Sequence, residues 1–325
     1  MSALTDGNHR TIEYLRLSVT DKCNLRCIYC MPEEGVCSLA HSEILTFEET
    51  VRIVRILVSM GLKKVRLTGG EPFVRRGVMT LMEQLTAVPG IEEIAVTTNG
   101  LLLAPHLETL RALGVRKLNI SIDTLDRTEY RRLTGFDGLE TVHSAIEHAI
   151  VMGFDVKLNC VALDGVQDDL RLAELARSEP IAVRYIELMP VGMGKRCRGV
   201  PSDVILKALC RRYGAASVLP QEEQYNGPAA YYQFHGFQGK IGFISPVSHK
   251  FCDRCNRIRL TADGFLKLCL HYDTGLDLKA LLRGGADDAS IAAEIEKALL
   301  QKPQAHGFDS PDESADARHM YQIGG

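Results

Sequence analysis

Six strand-like segments alternate with helix-like segments over residues 12–216 of the 325-residue chain. Each strand-like segment is short and rich in branched side chains, and a stretch with apolar residues at helical spacing follows it. Such strict alternation predicts a parallel sheet whose strands are joined by right-handed helical crossovers. The predicted strands are residues 12–20, 63–68, 92–99, 117–123, 155–161 and 183–189. Six such units are two short of a complete eight-fold barrel.

The predicted strands have one apolar face and one polar face. In the first strand, Leu15, Leu17 and Val19 alternate with polar residues. The polar faces of the strands carry Arg16, Ser18, Thr20, Lys64, Arg66, Thr68, Asn119, Ser121, Asp123, Lys157 and Asn159. A parallel sheet covered on both faces, or a closed and filled barrel, is almost wholly apolar inside. The pattern therefore predicts a curved, incompletely closed barrel around a large polar cavity, and an open sheet with one wet face is the alternative.

The alternation stops in the last third of the chain. Residues 229–235 and 240–245 predict an antiparallel pair of strands, and helices are predicted near 275–283 and 288–302. The end of the chain is polar and rich in Pro, Ser and Asp, which predicts mobility. The expected organisation has three parts: a partial barrel over 1–216, a C-terminal region over 217–302 and a flexible tail over 303–325.

Composition excludes several classes of function. The net charge of −3 gives no global positive field for a nucleic acid. No apolar run approaches the length of a membrane span, and the first residues lack the basic and apolar regions of a signal peptide. We therefore expect a cytoplasmic enzyme without a nucleic-acid or membrane partner. In a reducing compartment, clustered cysteines indicate metal binding or catalysis rather than disulfides.

Six of the ten cysteines fall into two groups, and each group offers three ligands. The groups are Cys23, Cys27 and Cys30, directly after the first strand, and Cys252, Cys255 and Cys269, in the last third. A zinc ion or a cubane cluster normally has four protein ligands. Two explanations remain open at this point. A further residue completes a structural zinc site, for which His271 is a candidate, or one metal atom keeps an open position.

Basic residues are concentrated on the polar strand faces and beside the second cysteine group. They are Arg16, Lys64, Arg66, Lys157, Arg184, Arg257 and Arg259. Arg257 and Arg259 are two residues apart in an extended segment and so point the same way. An interior positive site in a slightly acidic protein suits a polyphosphate, for which arginine supplies fork-shaped contacts. A solvated or salt-bridged role is the alternative for any single member of this set.

The first cysteine group resembles that of the radical S-adenosylmethionine superfamily. Its CxxxCxxC loop follows the first strand, and Gly69-Gly70-Glu71 follows the second. The resemblance implies that three thiolates hold a 4Fe–4S cluster whose fourth iron binds S-adenosylmethionine. It also implies that Glu71 and the glycines receive the amino group of this cofactor. The cofactor-binding residues implied in this way are Tyr29, Gly70, Glu71, Ser121 and Met189.

Taken together, the motifs of nearly the whole chain resemble the GTP 3′,8-cyclase family of molybdenum cofactor biosynthesis. They are CNLRCIYC, RLTGGEP, TTNG, RYIELMPVG, CDRCNRIRLTADGFLKLCL and the terminal Gly324-Gly325. The resemblance implies an incomplete (βα)6 TIM-type barrel whose C-terminal extension carries a second 4Fe–4S cluster on Cys252, Cys255 and Cys269. The open iron of this cluster meets guanine, with His271 as a bystander. The implied GTP contacts are Arg16, Lys64, Arg66, Thr97, Lys157, Arg184, Arg257, Ile258 and Arg259.

The same resemblance implies a reaction and a set of partners. One electron from the first cluster cleaves S-adenosylmethionine to methionine and a 5′-deoxyadenosyl radical. This radical takes the C3′ hydrogen of GTP, C3′ bonds to C8 of guanine, and a further electron and proton complete the product. The terminal Gly324 and Gly325 are needed for this chemistry. The implied partners are GTP, an electron donor such as flavodoxin or ferredoxin, a downstream enzyme that forms the cyclic pyranopterin, and a second copy of the chain.

Two alternatives remain at this stage. The first is another two-cluster radical enzyme that modifies a peptide or a cofactor. Binding of GTP, measured by anaerobic calorimetry, separates it from a GTP 3′,8-cyclase. The second is a zinc-stabilised, non-catalytic protein that binds a nucleotide.

Metal analysis of the anaerobically purified protein tests the class of protein. We expect about eight irons and matching sulfide per chain, as two cubane clusters require. A content of about one or two zinc ions without iron would instead identify a structural metal site.

Overall fold

One sheet of twelve strands runs through the described part of the protein. The computed structural model describes residues 4–32, 34–35, 39–165, 169–220, 227–309 and 316–324. Six strands lie side by side in chain order, and all pair in parallel. They are β1 Tyr14–Ser18, β2 Lys64–Thr68, β3 Glu93–Thr98, β4 Lys117–Ser121, β5 Asp155–Ala162 and β6 Ala182–Glu187. The six predicted parallel strands are therefore confirmed.

The C-terminal part of the chain adds three strands to each edge of this sheet. They are β7 Ala216–Val218, β8 Ala230–Phe234 and β9 Lys240–Ile244 beside β6, and β10 Arg257–Leu260, β11 Phe265–Lys267 and β12 Gly275–Asp277 beside β1. The inner strand on each side, β9 or β10, is parallel to its neighbour, and the outer strands are antiparallel.

Eight parallel strands thus form the wall of an incompletely closed barrel. Within the described residues, β9 and β10 do not pair with each other. The predicted open barrel is confirmed, and so is the predicted antiparallel pair of β8 and β9. The parallel pairing of β10 with β1 was not predicted. The division of the chain into a barrel over 1–216 and a region over 217–302 stays a prediction, because strands from both parts share one sheet.

Helices follow the strands along the chain. They are α1 Phe47–Ser59, α2 Val78–Thr86, α3 Leu107–Ala112, α4 Arg127–Thr134, α5 Leu139–Val151, α6 Asp169–Ser178, α7 Ser202–Tyr213, α8 Leu278–Arg283, α9 Asp288–Leu300 and α10 Met320–Ile323. The core lies between these helices and the apolar face of the sheet, where Leu15, Leu67 and Leu118 are 0% exposed. Within the part of the chain that the structure describes, no helix is long and apolar enough to span a membrane.

Helix α4 is not evident in the sequence because few of its residues are apolar. Its buried face consists mainly of Tyr130 and Leu133. Asp126 caps the helix by accepting the Glu129 N–H at 2.8 Å. Gly135 ends it with φ of 71°, a left-handed conformation that glycine adopts without strain. Local capping therefore defines a helix that hydrophobic periodicity does not.

The carboxylate of Glu71 joins the ends of β2 and β3 from behind the barrel wall. It is 0% exposed and accepts hydrogen bonds from the Thr98 hydroxyl at 2.8 Å, the Asn99 N–H at 2.7 Å and the Phe73 N–H at 3.2 Å. The Thr98 hydroxyl in turn accepts the Gly100 N–H at 3.0 Å, so it donates to Glu71. Burial raises the pKa of Glu71 to about 7, although these donors act in the opposite direction.

Replacement of Glu71 by Gln should reduce the pH dependence of stability. Because folding raises the pKa of Glu71, its contribution is complete below about pH 4.5 and is lost as the pH rises through about 7. Between pH 5 and pH 8, the free energy of unfolding of the wild type should therefore fall by about 2–3 kcal/mol more than that of Glu71→Gln. Urea unfolding of the cluster-free protein measures this difference.

Glu83→Gln is the matched control, because Glu83 lies on the exposed side of α2. It should keep the wild-type dependence on pH. An equal slope in the wild type and in Glu71→Gln would contradict a buried, titrating Glu71.

Candidate active site

A cavity of about 560 Å³ occupies the interior of the barrel. All eight parallel strands contribute inward-facing residues to its wall. The volume is typical of sites that enclose a small molecule. The polar interior predicted from the strand faces is present, because the alternation along each strand separates the cavity wall from the core.

The first cysteine group lies on the cavity wall, after the carboxyl end of β1. A tight turn forms there because the N–H groups of Cys30 and Met31 both donate to the Cys27 carbonyl at 2.9 Å. Burial raises the pKa of the Cys27 thiol well above its usual range, and the nearby Asp123, Cys30 and Cys23 raise it further. Burial likewise raises the pKa of Cys30 to about 12.

Thiols whose pKa values are raised in this way ionise near neutral pH only beside a strong positive centre such as a metal. Three soft ligands from one loop, all facing one cavity, have the donor chemistry of an iron–sulfur cluster. Across the described ranges, no three His, Cys, Asp or Glu side chains lie close enough to hold a single metal ion. The fit to a cluster therefore rests on the donor type and on the common wall of the cavity.

The second strand supports the first cysteine loop through Gly70. Its N–H donates to the Thr20 carbonyl at 2.7 Å, and the Glu71 N–H donates to the Lys22 carbonyl at 2.8 Å. A Cβ atom on Gly70 would lie 2.3 Å from the Lys22 oxygen. The position therefore requires glycine, and Gly70 fixes the loop that carries Cys23.

The residues assigned to S-adenosylmethionine differ in their access to the cavity. Tyr29, Gly70, Ser121 and Met189 line it. Glu71 does not, because its carboxylate is buried among the ends of β2 and β3. The carboxylate of Glu71 thus supports the wall, and its contact with the cofactor stays a prediction.

Asp123 and Asn99 are further wall residues that were not assigned from the sequence. Asp123 accepts the Tyr29 hydroxyl at 2.7 Å, and burial raises its pKa to about 6. The Asn99 amide donates to the Asn24 side chain at 2.7 Å and lies 3.8 Å from the Cys23 sulfur. Both residues hold the first cysteine loop, and the only signal in the sequence was their place at the ends of predicted strands.

The second cysteine group lies at the opposite end of the same pair of strands. Cys252 and Cys255 precede β10, and Cys269 follows β11, which runs antiparallel to β10. All three line the cavity. His271 is not on the wall, and its ring instead packs against the rings of Tyr272 and Phe308 at 4.6 and 4.9 Å between centroids.

A buried lysine beside this group was missed in the sequence. Lys302 is 4% exposed, and its ammonium donates to the carbonyls of Arg257, at 3.0 Å, and Leu268. Burial raises the pKa of Cys255, but the charges of Arg257 and Lys302 outweigh it and lower the pKa to about 7. An isolated lysine at a helix end carries no pattern that identifies it.

Three arginines lie side by side across adjacent strands of the wall. Arg16 on β1 is in register with Arg259 on β10 and with Arg66 on β2. Neighbouring strands are only about 4.8 Å apart, so these charges repel each other. Burial, and then the charge of Arg259, lower the pKa of Arg16 well below its usual range. Burial and the charge of Arg257 also lower the pKa of Arg259, to about 10.

Some buried polar atoms of the wall have no partner within the described residues. They are Nη1 of Arg66, Oγ1 of Thr97 and Oδ1 of Asn119. Buried polar groups are normally paired, so such atoms in a cavity wall indicate a polar ligand. With the neighbouring arginines, they make this part of the wall suited to an anion.

The remaining predicted GTP residues occupy the same wall, with one exception. Lys64, Lys157, Arg184 and Arg257 line the cavity, where the Lys157 ammonium lies 3.0 Å from Asp155 and Nε of Arg184 donates to the Asn159 side chain at 2.9 Å. The side chain of Ile258 is 1% exposed and packs in the hydrophobic core. Only the backbone of Ile258 is therefore available to a ligand in the cavity.

The described end of the chain lies against this site. The Gly324 carbonyl accepts a hydrogen bond from Nη1 of Arg259 at 3.3 Å, and a Cβ atom on Gly324 would lie 2.7 Å from the Thr68 hydroxyl. Met320 and Tyr321 line the cavity. Gly325 lies outside the described residues. Composition predicts a mobile end, but specific contacts hold residues 316–324 in place.

Comparison with known proteins agrees with this arrangement. Residues 17–176 match the Radical SAM superfamily, and residues 181–308 match the family described as Molybdenum Cofactor Synthesis C. A GTP 3′,8-cyclase of Clostridium perfringens (strain SM101 / Type A) is 42% identical over 326 residues, which cover 99% of this chain and 100% of the relative. A GTP 3′,8-cyclase of Pelotomaculum thermopropionicum is 44% identical over 328 residues, again 99% and 100% of the two chains. The chain belongs to the GTP 3′,8-cyclase family.

Membership of the GTP 3′,8-cyclase family confirms the resemblance found in the motifs. Among solved structures, Streptococcus suis SuiB bound to S-adenosylmethionine superposes with a TM-score of 0.60 at 16% identity, over 91% of this chain and 73% of that one. At this identity the likeness concerns the fold alone, and it supports the radical SAM type of barrel.

Replacement of Gly70 by Ala should remove the first cluster and spare the second. The added Cβ atom would collide with the Lys22 carbonyl and displace the loop that carries Cys23. Iron content after anaerobic reconstitution should fall from about eight to about four atoms per chain.

Gly153→Ala is the matched control. Gly153 has a positive φ of 76°, so alanine strains the backbone there, but a Cβ atom meets nothing within 4 Å. It should retain full iron content. Full iron content in Gly70→Ala would show that Gly70 does not support the cluster loop.

Proposed function

We propose that the protein is a radical S-adenosylmethionine enzyme that converts GTP to (8S)-3′,8-cyclo-7,8-dihydroguanosine 5′-triphosphate, the first step of molybdopterin biosynthesis. One observation carries the proposal. Two groups of three cysteines face one cavity from opposite ends of the strand pair β1 and β10, and a row of three arginines on the cavity wall lies between them. A single molecule can contact both ends, because a strand of five residues spans only roughly 16 Å.

The residues at the end of the cavity with the first cysteine group fit a 4Fe–4S cluster and its cofactor. Bound there, the 4Fe–4S cluster and S-adenosylmethionine supply the one-electron chemistry that removes a hydrogen atom from the ribose of GTP. Cys23, Cys27 and Cys30 hold the cluster, and Gly70 keeps their loop in place. Tyr29, Ser121 and Met189 line the space beside it and orient the cofactor. The hydrogen bond from Tyr29 to Asp123 fixes the tyrosine ring.

The residues in the middle of the cavity, between the two cysteine groups, bind the triphosphate. Arg16, Arg66 and Arg259 offer forked donors whose mutual repulsion an anion relieves. The unpartnered atoms of Arg66 and Thr97 provide further donors. Lys64, Lys157, Arg184 and Arg257 contribute charge around them. The triphosphate thereby sets the position of the ribose and the base, and the enclosing barrel keeps bulk water from the reacting atoms.

The end of the cavity with the second cysteine group receives the guanine base. Cys252, Cys255 and Cys269 would hold the second cluster, which would supply a binding position for the base, and the backbone from Arg257 to Arg259 passes beside these cysteines. Lys302 stabilises the thiolates by charge. The carbonyl of Gly324 accepts a hydrogen bond from the guanidinium of Arg259 and restrains its orientation.

Other parts of the proposal concern the cellular setting. The enzyme works in the cytoplasm and takes electrons from a donor such as flavodoxin or ferredoxin. Its product passes to an enzyme that forms the cyclic pyranopterin. The chain forms a homodimer, and residues 1–216, 217–302 and 303–325 act as barrel, cluster-binding region and tail.

Replacement of Arg66 by Met should weaken GTP binding without loss of stability. The variant loses charge-assisted hydrogen bonds to the triphosphate, so the Kd for GTP should rise about 10–100-fold. Its free energy of unfolding should stay equal or increase, because one of three repelling charges is gone. Anaerobic calorimetry with GTP and urea unfolding measure the two quantities.

Arg55→Met, on the exposed side of α1, is the control and should leave the affinity for GTP unchanged. Wild-type affinity in Arg66→Met would contradict the proposed triphosphate site. Loss of S-adenosylmethionine binding or of iron would show a general disturbance of the site instead.

A further inference from the structure

A buried ion pair joins the end of the chain to the sheet. Lys267 on β11 donates to the Asp316 carboxylate and to the Tyr272 carbonyl, the latter at 2.6 Å. The exposed fractions of the two charged side chains are 0% and 4%. A pair so far from water is costly, because both charges lose their hydration. Its benefit must therefore lie in the geometry that it imposes.

Asp316 is held in one orientation by its neighbours. Its Oδ1 accepts the Arg318 N–H at 2.8 Å, and its own N–H donates to the His271 carbonyl at 2.8 Å. The Arg318 guanidinium lies 3.4 Å from the same carboxylate and 4.5 Å over the ring of Phe265. The chain therefore leaves Asp316 in a defined direction toward α10.

The residues beyond Asp316 contact both halves of the active site. The Tyr321 backbone lies close enough to Cys30, a predicted ligand of the first cluster, to lower the pKa of its thiol, and Tyr321 and Cys30 line the same cavity. The Gly324 carbonyl accepts from Arg259, a predicted contact of GTP. Both contacts lie within eight residues of Asp316, so a shift of this anchor would move them.

The barrel also leaves space for this segment. Gly192, in the loop after β6, has a φ of 52°, and a Cβ atom there would lie 2.7 Å from Nδ1 of His319. The absence of a side chain at Gly192 thus lets His319 approach the loop. The segment is therefore packed directly against this loop.

We propose that the Lys267–Asp316 ion pair is a positioning element that seats residues 316–324 across the active site. The two partners differ in what they can do when the pair is broken. Lys267 belongs to a strand inside the sheet, whereas Asp316 belongs to the end of the chain. Once Lys267 loses its charge, the lowest free energy for Asp316 is reached in water, and its departure withdraws the segment.

A second ion pair of the tail provides an internal contrast. Lys250 lies 2.8 Å from Asp309, but the side chains are 36% and 55% exposed. Exposed pairs of this kind contribute little, because water solvates each partner equally well. The same Lys→Met change should therefore have different effects at the two sites.

Hydrogen exchange measured by mass spectrometry tests the seating directly. The sample is the anaerobically reconstituted holoenzyme with S-adenosylmethionine and without GTP, so that no turnover is needed. In Lys267→Met, the amides of 316–324 should exchange about a hundredfold faster or more, while those of the parallel strands keep wild-type rates. Lys250→Met should match the wild type. The double variant Lys267→Met/Asp316→Asn buries no charge and keeps an acceptor for the Arg318 N–H, so it should regain slow exchange.

Unchanged exchange of 316–324 in Lys267→Met would overturn the proposal. So would faster exchange spread through the whole barrel, or a double variant that behaves like the single one, since either result describes a general loss of stability.

The catalytic consequence rests on the proposed function and is measured separately. Turnover of GTP should fall in Lys267→Met and recover in the double variant, with iron content unchanged in both. Normal turnover with an unseated segment would overturn the positioning role. If no protein, the wild type included, forms the cyclic product while the exchange data are as expected, the proposed function fails and the seating stands.

Discussion

Repulsion among arginines inside the barrel is the constraint on which the rest of the structure depends. Parallel pairing brings Arg259, Arg16 and Arg66 into one row, and the alternation of a strand turns all three inward. The fold must balance this repulsion with its apolar face, where side chains such as Leu15 and Leu67 are completely buried. An anion in the cavity removes the repulsion. The site is thus unfavourable when empty and favourable when filled, as is common where function overrides local stability.

The pairing of β1 with β10 also fixes the distance between the two cysteine groups. One loop follows the carboxyl end of β1, and the other precedes the amino end of β10. The two loops are therefore separated by about the length of one strand. Neither loop can move along the strand direction without breaking the register of the sheet. A substrate that contacts both cysteine groups must therefore match a fixed distance between them.

The sequence was sufficient to predict the repeating strand–helix units of the fold. Six parallel strands follow from alternation, and the polar cavity follows from the two faces of those strands. The extended segment of Arg257 and Arg259 was predicted, but its pairing as β10 was missed because its partner, β1, is distant in the chain. The cysteines and arginines of the site form motifs and were found. Asp123 and Lys302 are isolated residues, and only the tertiary structure brings them to the wall.

Two residues have positions that a motif or a composition does not specify. Glu71 belongs to a ligand-binding motif, yet its carboxylate supports the wall from behind. The tail has the composition of a mobile segment, yet Asp316 is buried and forms an ion pair with Lys267 of the sheet. The composition of a segment indicates how well the segment is hydrated on average. A single buried ion pair between residues distant in the chain can nevertheless determine where a short segment lies.

The two open edges of the six-stranded part of the sheet matter while the chain is being made on the ribosome. Until Arg257–Leu260 and Lys240–Ile244 leave the ribosome, β1 and β6 are edge strands with unpaired backbone groups. A nascent chain that ends before these strands therefore exposes two templates for aggregation. The last third of the chain protects both edges at once, and the final residues then pack against the completed wall. The order of synthesis thus delays the assembly of the arginine row until the barrel that encloses it can form.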